Sequence, residues 1–223
     1  MVEWIAHDGF TKMNVIDIFP TPVYVEEYPE ANYIKSEVEQ LISNKSLEKN
    51  VYCNELHHIG NTSDESILYN DVFDSFREWI ENNSIFFIEA VLGYKIYDTV
   101  LITDSWVNIS EKGAFQHPHY HTNSYISGTY YVSIDEDSAP LEFNYSDIAP
   151  FSQVQNLTLE KTNNTKYNSD VRINVKEGSL LLWPSNLTHG FCNNKSDKRI
   201  SISFNIMPTE MKTGTYGFKV SLL

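Results

Sequence analysis

The sequence predicts a mainly β, α+β fold: a double-stranded β-helix, or jelly-roll, with N-terminal helices packed on one of its sheets. Two segments ahead of residue 93 carry apolar residues at helical spacing. From Tyr94 onward the period switches to two, and short candidate strands are separated by turn residues. Strands recurring at intervals of roughly 8 to 12 residues indicate a sandwich or barrel rather than βαβ units.

Taken in order, residues 1–14 read as an extended N-terminal lead, 15–93 as a β lead-in with helices, and 94–223 as the double-stranded β-helix core, all within one domain. The segment VIDIFPTPVYV (15–25) alternates and is β-branched, but Pro20 and Pro22 restrict it to an edge strand or extended lead-in. Residues 30–43 place Ile34, Val38, Leu41 and Ile42 on one helical face. Residues 67–92 repeat that pattern with Val72, Phe73, Phe76, Trp79, Ile80 and Phe87, so two helices are expected to cover one face of a sheet. Candidate strands then span 97–110, 124–134, 139–145, 153–161, 170–176, 178–183, 189–193, 199–207 and 214–221, and the polar run 161–170 reads as an exposed loop.

The 223 residues carry a formal charge of −14 and a pI near 4.8, which argues against nucleic acid as a partner, because phosphate binding needs a basic footprint. Cys53 and Cys192 stand apart with no CxxC spacing, so neither a disulfide framework nor a zinc ribbon is indicated. No apolar run reaches signal or membrane-span length, and the expectation is a cytoplasmic protein without a membrane partner. On that reading the Asn-x-Ser/Thr triplets at Asn61, Asn82, Asn156, Asn163 and Asn186 are incidental to an asparagine-rich chain.

The richest chemistry lies in HPHYH, which sets His117, His119 and His121 at alternate positions, and in a distant His189 within WPSNLTHG. Imidazoles two apart on an extended strand project to one face and can close on one cation with a ligand from a later strand. Three protein ligands on one side leave coordination positions open for reactants. Spacing alone leaves two registers open, His119-x-His121 and His117-x-His119. The competing interpretation is a histidine cluster that is simply solvent-exposed.

Arg199 begins the alternating strand RISISFNI, in which Arg199, Ser201, Ser203 and Asn205 share one face and Ile200, Ile202, Phe204 and Ile206 the other. A guanidinium holds a carboxylate bidentately and stays charged, so an inward-facing Arg199 close to a metal ligand suggests a site for an anionic co-substrate. The ordinary alternative is a solvated residue at a strand start on a half-polar strand. Asn108 and Asn205 are candidates to line the pocket, while Trp106 and Trp183 read as core.

The combination of FPTPVY, HxHxxxxxSGTYYV (119–132), EGSLLLWPSNLTHG (177–190) and RISISFN (199–205) resembles the 2-oxoglutarate- and Fe(II)-dependent oxygenases of marine bacteria and their phages, over most of the chain from about residue 18. The resemblance implies a double-stranded β-helix, with Fe(II) as cofactor and 2-oxoglutarate and oxygen as co-substrates. It makes His119 and His189 the histidine ligands and puts His121 at the position that carries Asp or Glu in the wider superfamily. It further implies that Arg199 anchors the far carboxylate of 2-oxoglutarate, with Ser201 beside it and Tyr131 against the same carboxylate. The expected activity is that of a hydroxylase.

Two other classes use some of the same residues. A cupin-type three-histidine metalloenzyme would not need Arg199, and the glutamate that a cupin carries soon after HxH is missing from HTNSYISG. A non-catalytic jelly-roll binding or structural module would leave the histidines as surface features. The edge of a jelly-roll is also compatible with a homodimer.

Overall fold

The computed structural model describes residues 20–60, 66–144 and 170–222. Pro20 and Pro22 have no N–H to give to a ladder, and pairing begins just after them at β1 (Tyr24–Glu27), an edge strand as the prolines predict. In α1 (Ala31–Asn44) Ile34 and Val38 are buried. Two strands that the sequence reading leaves out follow, β2 (Glu48–Lys49) and β3 (Leu56–Ile59). Two and four residues are too few to display a period, so their pairing is tertiary in origin.

The long helix expected over 67–92 is instead broken into two 3-10 turns, Ile67–Tyr69 and Asp71–Phe73, then α2 (Asp74–Phe86) and a closing π turn, Phe87–Val91. Asn70 makes the break: it is extended, and its side chain accepts a hydrogen bond from the Val72 N–H to cap a new turn. Phe73, Phe76, Ile80 and Phe87 are buried as the stripe predicts and Trp79 packs partly against them, whereas Val72, in the 3-10 turn, is exposed.

The later strands are β4 (Val100–Ser110), β5 (Gln116–His119), β6 (Ile126–Ser133), β7 (Leu141–Asn144), β8 (Asp170–Ile173), β9 (Ser179–Pro184), β10 (His189–Phe191), β11 (Arg199–Pro208), β12 (Glu210–Lys212) and β13 (Gly217–Lys219). The strand expected over 153–161 and all but the last residue of the 161–170 loop lie outside the described residues; Asp170 itself opens β8. β5 is an addition to the sequence reading, and the strand expected over 214–221 shrinks to β13, paired with β12 in a hairpin of its own.

The jelly-roll consists of two antiparallel sheets, one in the order β1-β9-β6-β11-β4-β3-β2 and one in the order β5-β10-β7-β8. β1, β2 and β3 join the larger sheet from the region ahead of residue 93. Its outer face takes α1 and α2: Ile34, Val38, Phe73, Phe76 and Ile80 form one apolar cluster with Ile102, Tyr130, Leu182, Ile202, Phe204 and Ile206. Packing there is tight, since a Cβ added at Gly128 would come within 2.5 Å of Phe204 and 2.7 Å of Leu182. The other face of the same strands looks between the sheets, where Tyr131, Leu141, Phe143, Leu181, Trp183 and Leu187 form a smaller cluster beside an open cavity.

Candidate functional site

β5 and β10 pair antiparallel with His119 directly opposite His189. Gly190 permits this approach: a Cβ there would lie 2.5 Å from the Gln116 carbonyl oxygen, so the THG sequence brings the two strands together. His121 lies just beyond the end of β5, and its backbone N–H donates to the Ser185 carbonyl at 2.9 Å. The rings of His119 and His189 are 4.5 Å apart at their centres, and His121 is 5.3 Å from each. One ligand nitrogen from each of the three lies within 4.8 Å of the others. His117 faces away, exposed, with its ring against Phe115 and Tyr52. Of the two registers that spacing allows, the structure therefore gathers His119 and His121 with His189, and leaves His117 outside.

Each ring is held by a hydrogen bond at Nδ1. His119 donates to the His117 carbonyl at 2.8 Å, His189 donates to the Leu187 carbonyl at 2.9 Å, and His121 donates to Asn205 Oδ1. Carbonyl oxygens only accept, so Nδ1 carries the hydrogen in all three and the Nε2 lone pair is left for a ligand. Burial, reinforced by the neighbouring His119, pushes His189 down to about 3. Burial also lowers His119. Neutral imidazoles at neutral pH suit a first-row divalent cation.

Arg199 is only 3% exposed, which excludes the solvated strand-start alternative. Its Nε donates to the Ala139 carbonyl at 3.1 Å, and its guanidinium carbon lies 3.9 Å from the centre of the Phe191 ring and 5.5 Å from that of Tyr131. No carboxylate pairs with it among the described residues. The Tyr131 hydroxyl is likewise buried without a hydrogen-bond partner among them, and burial raises its pKa, so it remains a neutral donor. A buried guanidinium without a counter-ion is costly, and two donors left open beside each other fit a carboxylate. Ser201 stands on the same face of β11, buried, where its Oγ accepts a long 3.5 Å hydrogen bond from Asn108 Nδ2.

The imidazoles, Arg199 and Tyr131 line one cavity of about 1530 Å³. Asn108 and Asn205 line it as expected, and so do both tryptophans that the sequence assigns to the core. Trp183 is buried with its ring 4.7 Å from that of His189, so it serves core and cavity together. Trp106 is a correction: it is half-buried on the cavity side of β4, and its Nε1–H donates to Asn108 Oδ1 at 3.1 Å. Sequence reasoning also missed His58, buried on β3 between Asn50 and Asn108, and Asp104, which accepts from Asn205 Nδ2. Asn194 was missed as well. Its Oδ1 accepts from the Ala139 N–H and its Nδ2 shares its two hydrogens among the carbonyls of Ser110, Glu111 and Ser196, which fixes the connection ahead of β7 that carries the Arg199 acceptor. The alternation of β4 and β11 could have identified Asp104 through its register with Asn205; nothing local marks His58 or Asn194.

Residues 104–205 match the family model described as "Putative 2OG-Fe(II) oxygenase". No curated protein sequence matches the chain. Among solved structures, the chain is similar to the non-heme alpha ketoglutarate dependent epimerase SnoN from nogalamycin biosynthesis, at 11% identity and a TM-score of 0.60, over 91% of this chain and 89% of that one. It is also similar to HygX from Streptomyces hygroscopicus, solved with nickel, 2-oxoglutarate and hygromycin B, at 12% identity and a TM-score of 0.55 over 85% and 84% of the two chains. A prolyl-4-hydroxylase from Pseudomonas putida gives 11% identity and a TM-score of 0.54 over 83% and 92%. At such identities the likeness is one of fold.

Proposed function

We propose that the chain is a hydroxylase of the 2OG-Fe(II) oxygenase family, whose model residues 104–205 match, and that His119, His121 and His189 hold Fe(II). Arg199, Tyr131 and Ser201 form the end of the site that receives the far carboxylate of 2-oxoglutarate. The observation that carries this reading is Arg199: a guanidinium 3% exposed, without an acidic partner among the described residues, in the same cavity as three converging imidazoles.

Bound Fe(II) together with 2-oxoglutarate supplies oxygen activation coupled to decarboxylation of the keto acid to succinate. The residues do the binding and positioning. The three Nδ1 hydrogen bonds orient the imidazoles and leave each Nε2 for a ligand before any cation arrives, so little reorganisation is needed on binding. Arg199 and Tyr131 offer donors in a dry environment, where a charge-assisted pair is strong. Phe191 packs on the Arg199 guanidinium, and Trp183 and Phe143 pack against His189, so the inner end of the site is walled by aromatic rings. A five-carbon diacid would not fill about 1530 Å³, and the remaining volume toward Trp106, Asn108 and Asp104 is the proposed place of the prime substrate.

A cupin-type enzyme without 2-oxoglutarate would leave Arg199 without a purpose, and a non-catalytic module would leave the imidazole cluster without one. No described helix is long and apolar enough to cross a membrane. Both cysteines are free, which supports a reducing compartment such as the cytoplasm. The test is succinate formation from 2-oxoglutarate with Fe(II), comparing the parent with His189→Ala and Arg199→Ala. Loss of turnover in the first and a rise in the 2-oxoglutarate KM on the order of 100-fold in the second are expected; undiminished turnover in both would refute the assignment.

A further inference from the structure

We infer that Asp104 and Asn205 are positioning residues that make position 121 specific for histidine, so that the third imidazole is built into the site rather than a carboxylate lost from it. The inference rests on the cation-binding reading above. Asn205 is buried on β11 opposite Asp104 of β4, and its carboxamide lies between two groups. On one side its Nδ2 donates to Asp104 Oδ2 at 3.4 Å, and Thr103 Oγ1 holds the same carboxylate oxygen at 2.9 Å. On the other side its Oδ1 accepts from His121 Nδ1–H, and Ser127 Oγ lies 3.1 Å from both atoms.

A carboxamide has a donor end and an acceptor end, and a carboxylate can only accept. Asp104 therefore takes the donor end and turns the acceptor end toward position 121. Ser127 Oγ has one hydrogen, shared between that acceptor at 3.1 Å and Ser185 Oγ at 2.9 Å, so the acceptor is fully served by a histidine protonated at Nδ1, whose Nε2 lone pair faces the cation. A carboxylate ligand at position 121 would instead meet the Asn205 oxygen, acceptor against acceptor. Rotating the amide would relieve that contact only by turning its oxygen onto Asp104. The two acidic positions thus oppose each other through one amide, and the chain keeps its carboxylate at 104, where it orients the third ligand through two hydrogen bonds.

This predicts coupling between sites that do not touch. Cobalt(II) binding to the full-length protein is measured anaerobically for the parent, Asp104→Asn, His121→Asp and the double variant, by affinity and by visible ligand-field spectrum. Asp104→Asn is expected to weaken binding by less than about 5-fold, and His121→Asp by about 30-fold or more. Because an asparagine at 104 can face either end of the amide, the double variant should regain about 10-fold over His121→Asp. A double variant no better than the product of the two single effects would overturn the inference.

A second measurement does not require the His121→Asp protein to fold. The cobalt(II) parent should show three paramagnetically shifted, solvent-exchangeable imidazole N–H proton resonances. Asp104→Asn should move or broaden one and leave two in place; three unchanged resonances would overturn the proposal. A parent that takes up no cobalt(II) would defeat the cation reading itself, and the inference with it.

Discussion

The two faces of β11 belong to the same ten residues and follow opposite rules. Ile202, Phe204 and Ile206 look toward α1 and α2 into a cluster without voids for a Cβ at Gly128. Arg199, Ser201, Ser203 and Asn205 look the other way, into a cavity where a guanidinium has no counter-ion among the described residues and a tyrosine hydroxyl beside it has no partner. Strand alternation lets one element hold both environments a few ångströms apart. Stability is gained on the helix side, and part of it is given up on the cavity side to keep polar groups open for ligands.

Substitutions on the two faces should therefore separate stability from binding. Phe204→Ala, on the packed face, is expected to cost about 3–5 kcal/mol in denaturant unfolding and to leave the 2-oxoglutarate KM of the folded fraction near that of the parent. Arg199→Leu, on the open face, should do the reverse, raising that KM on the order of 100-fold while stability stays level or rises. If both variants changed both quantities together, the division between faces would be wrong.

Acid should expose the cost held on the cavity side. Burial, and then the neighbouring His119, holds His189 down to about 3 in the folded protein, against 6.5 for a free imidazole. Between those values the unfolded chain binds a proton that the folded one refuses, so His189 favours folding fully above pH 6.5 and loses that contribution as pH falls toward 3. The metal-free protein should show a falling melting temperature over this window, and the fall should be shallower in His189→Gln. The smallest effect expected is that of Tyr131→Phe: about a 10-fold rise in the 2-oxoglutarate KM, with stability unchanged or raised by up to about 1 kcal/mol because a buried, unpartnered hydroxyl is removed.

The fold class and the polar face of β11 were legible because both rest on period, which is local. The helix boundaries around Asn70 were not, because the apolar stripe runs on through the break and only the cap interrupts it. HPHYH marked a histidine cluster, yet its register became visible only when β10 placed His189 against His119 and left His117 on the outside. Trp106 was misread as core because a large aromatic on an alternating strand fits either face equally well. His58, Asn194 and Asp104 act through partners 50 or more residues away, such as Asn108, Ala139 and Asn205, and no pattern within a short window can report that.

The central claim, that three imidazoles and Arg199 together form one site for a divalent cation and a dicarboxylate, is tested most directly by anaerobic titration of Fe(II) and 2-oxoglutarate, followed by the visible charge-transfer absorption of the chelate. The account predicts an absorption that saturates at one 2-oxoglutarate per chain in the parent, is absent in His189→Ala, and needs on the order of 100-fold more 2-oxoglutarate in Arg199→Ala. No absorption in the parent, or the same saturation curve in all three proteins, would contradict it.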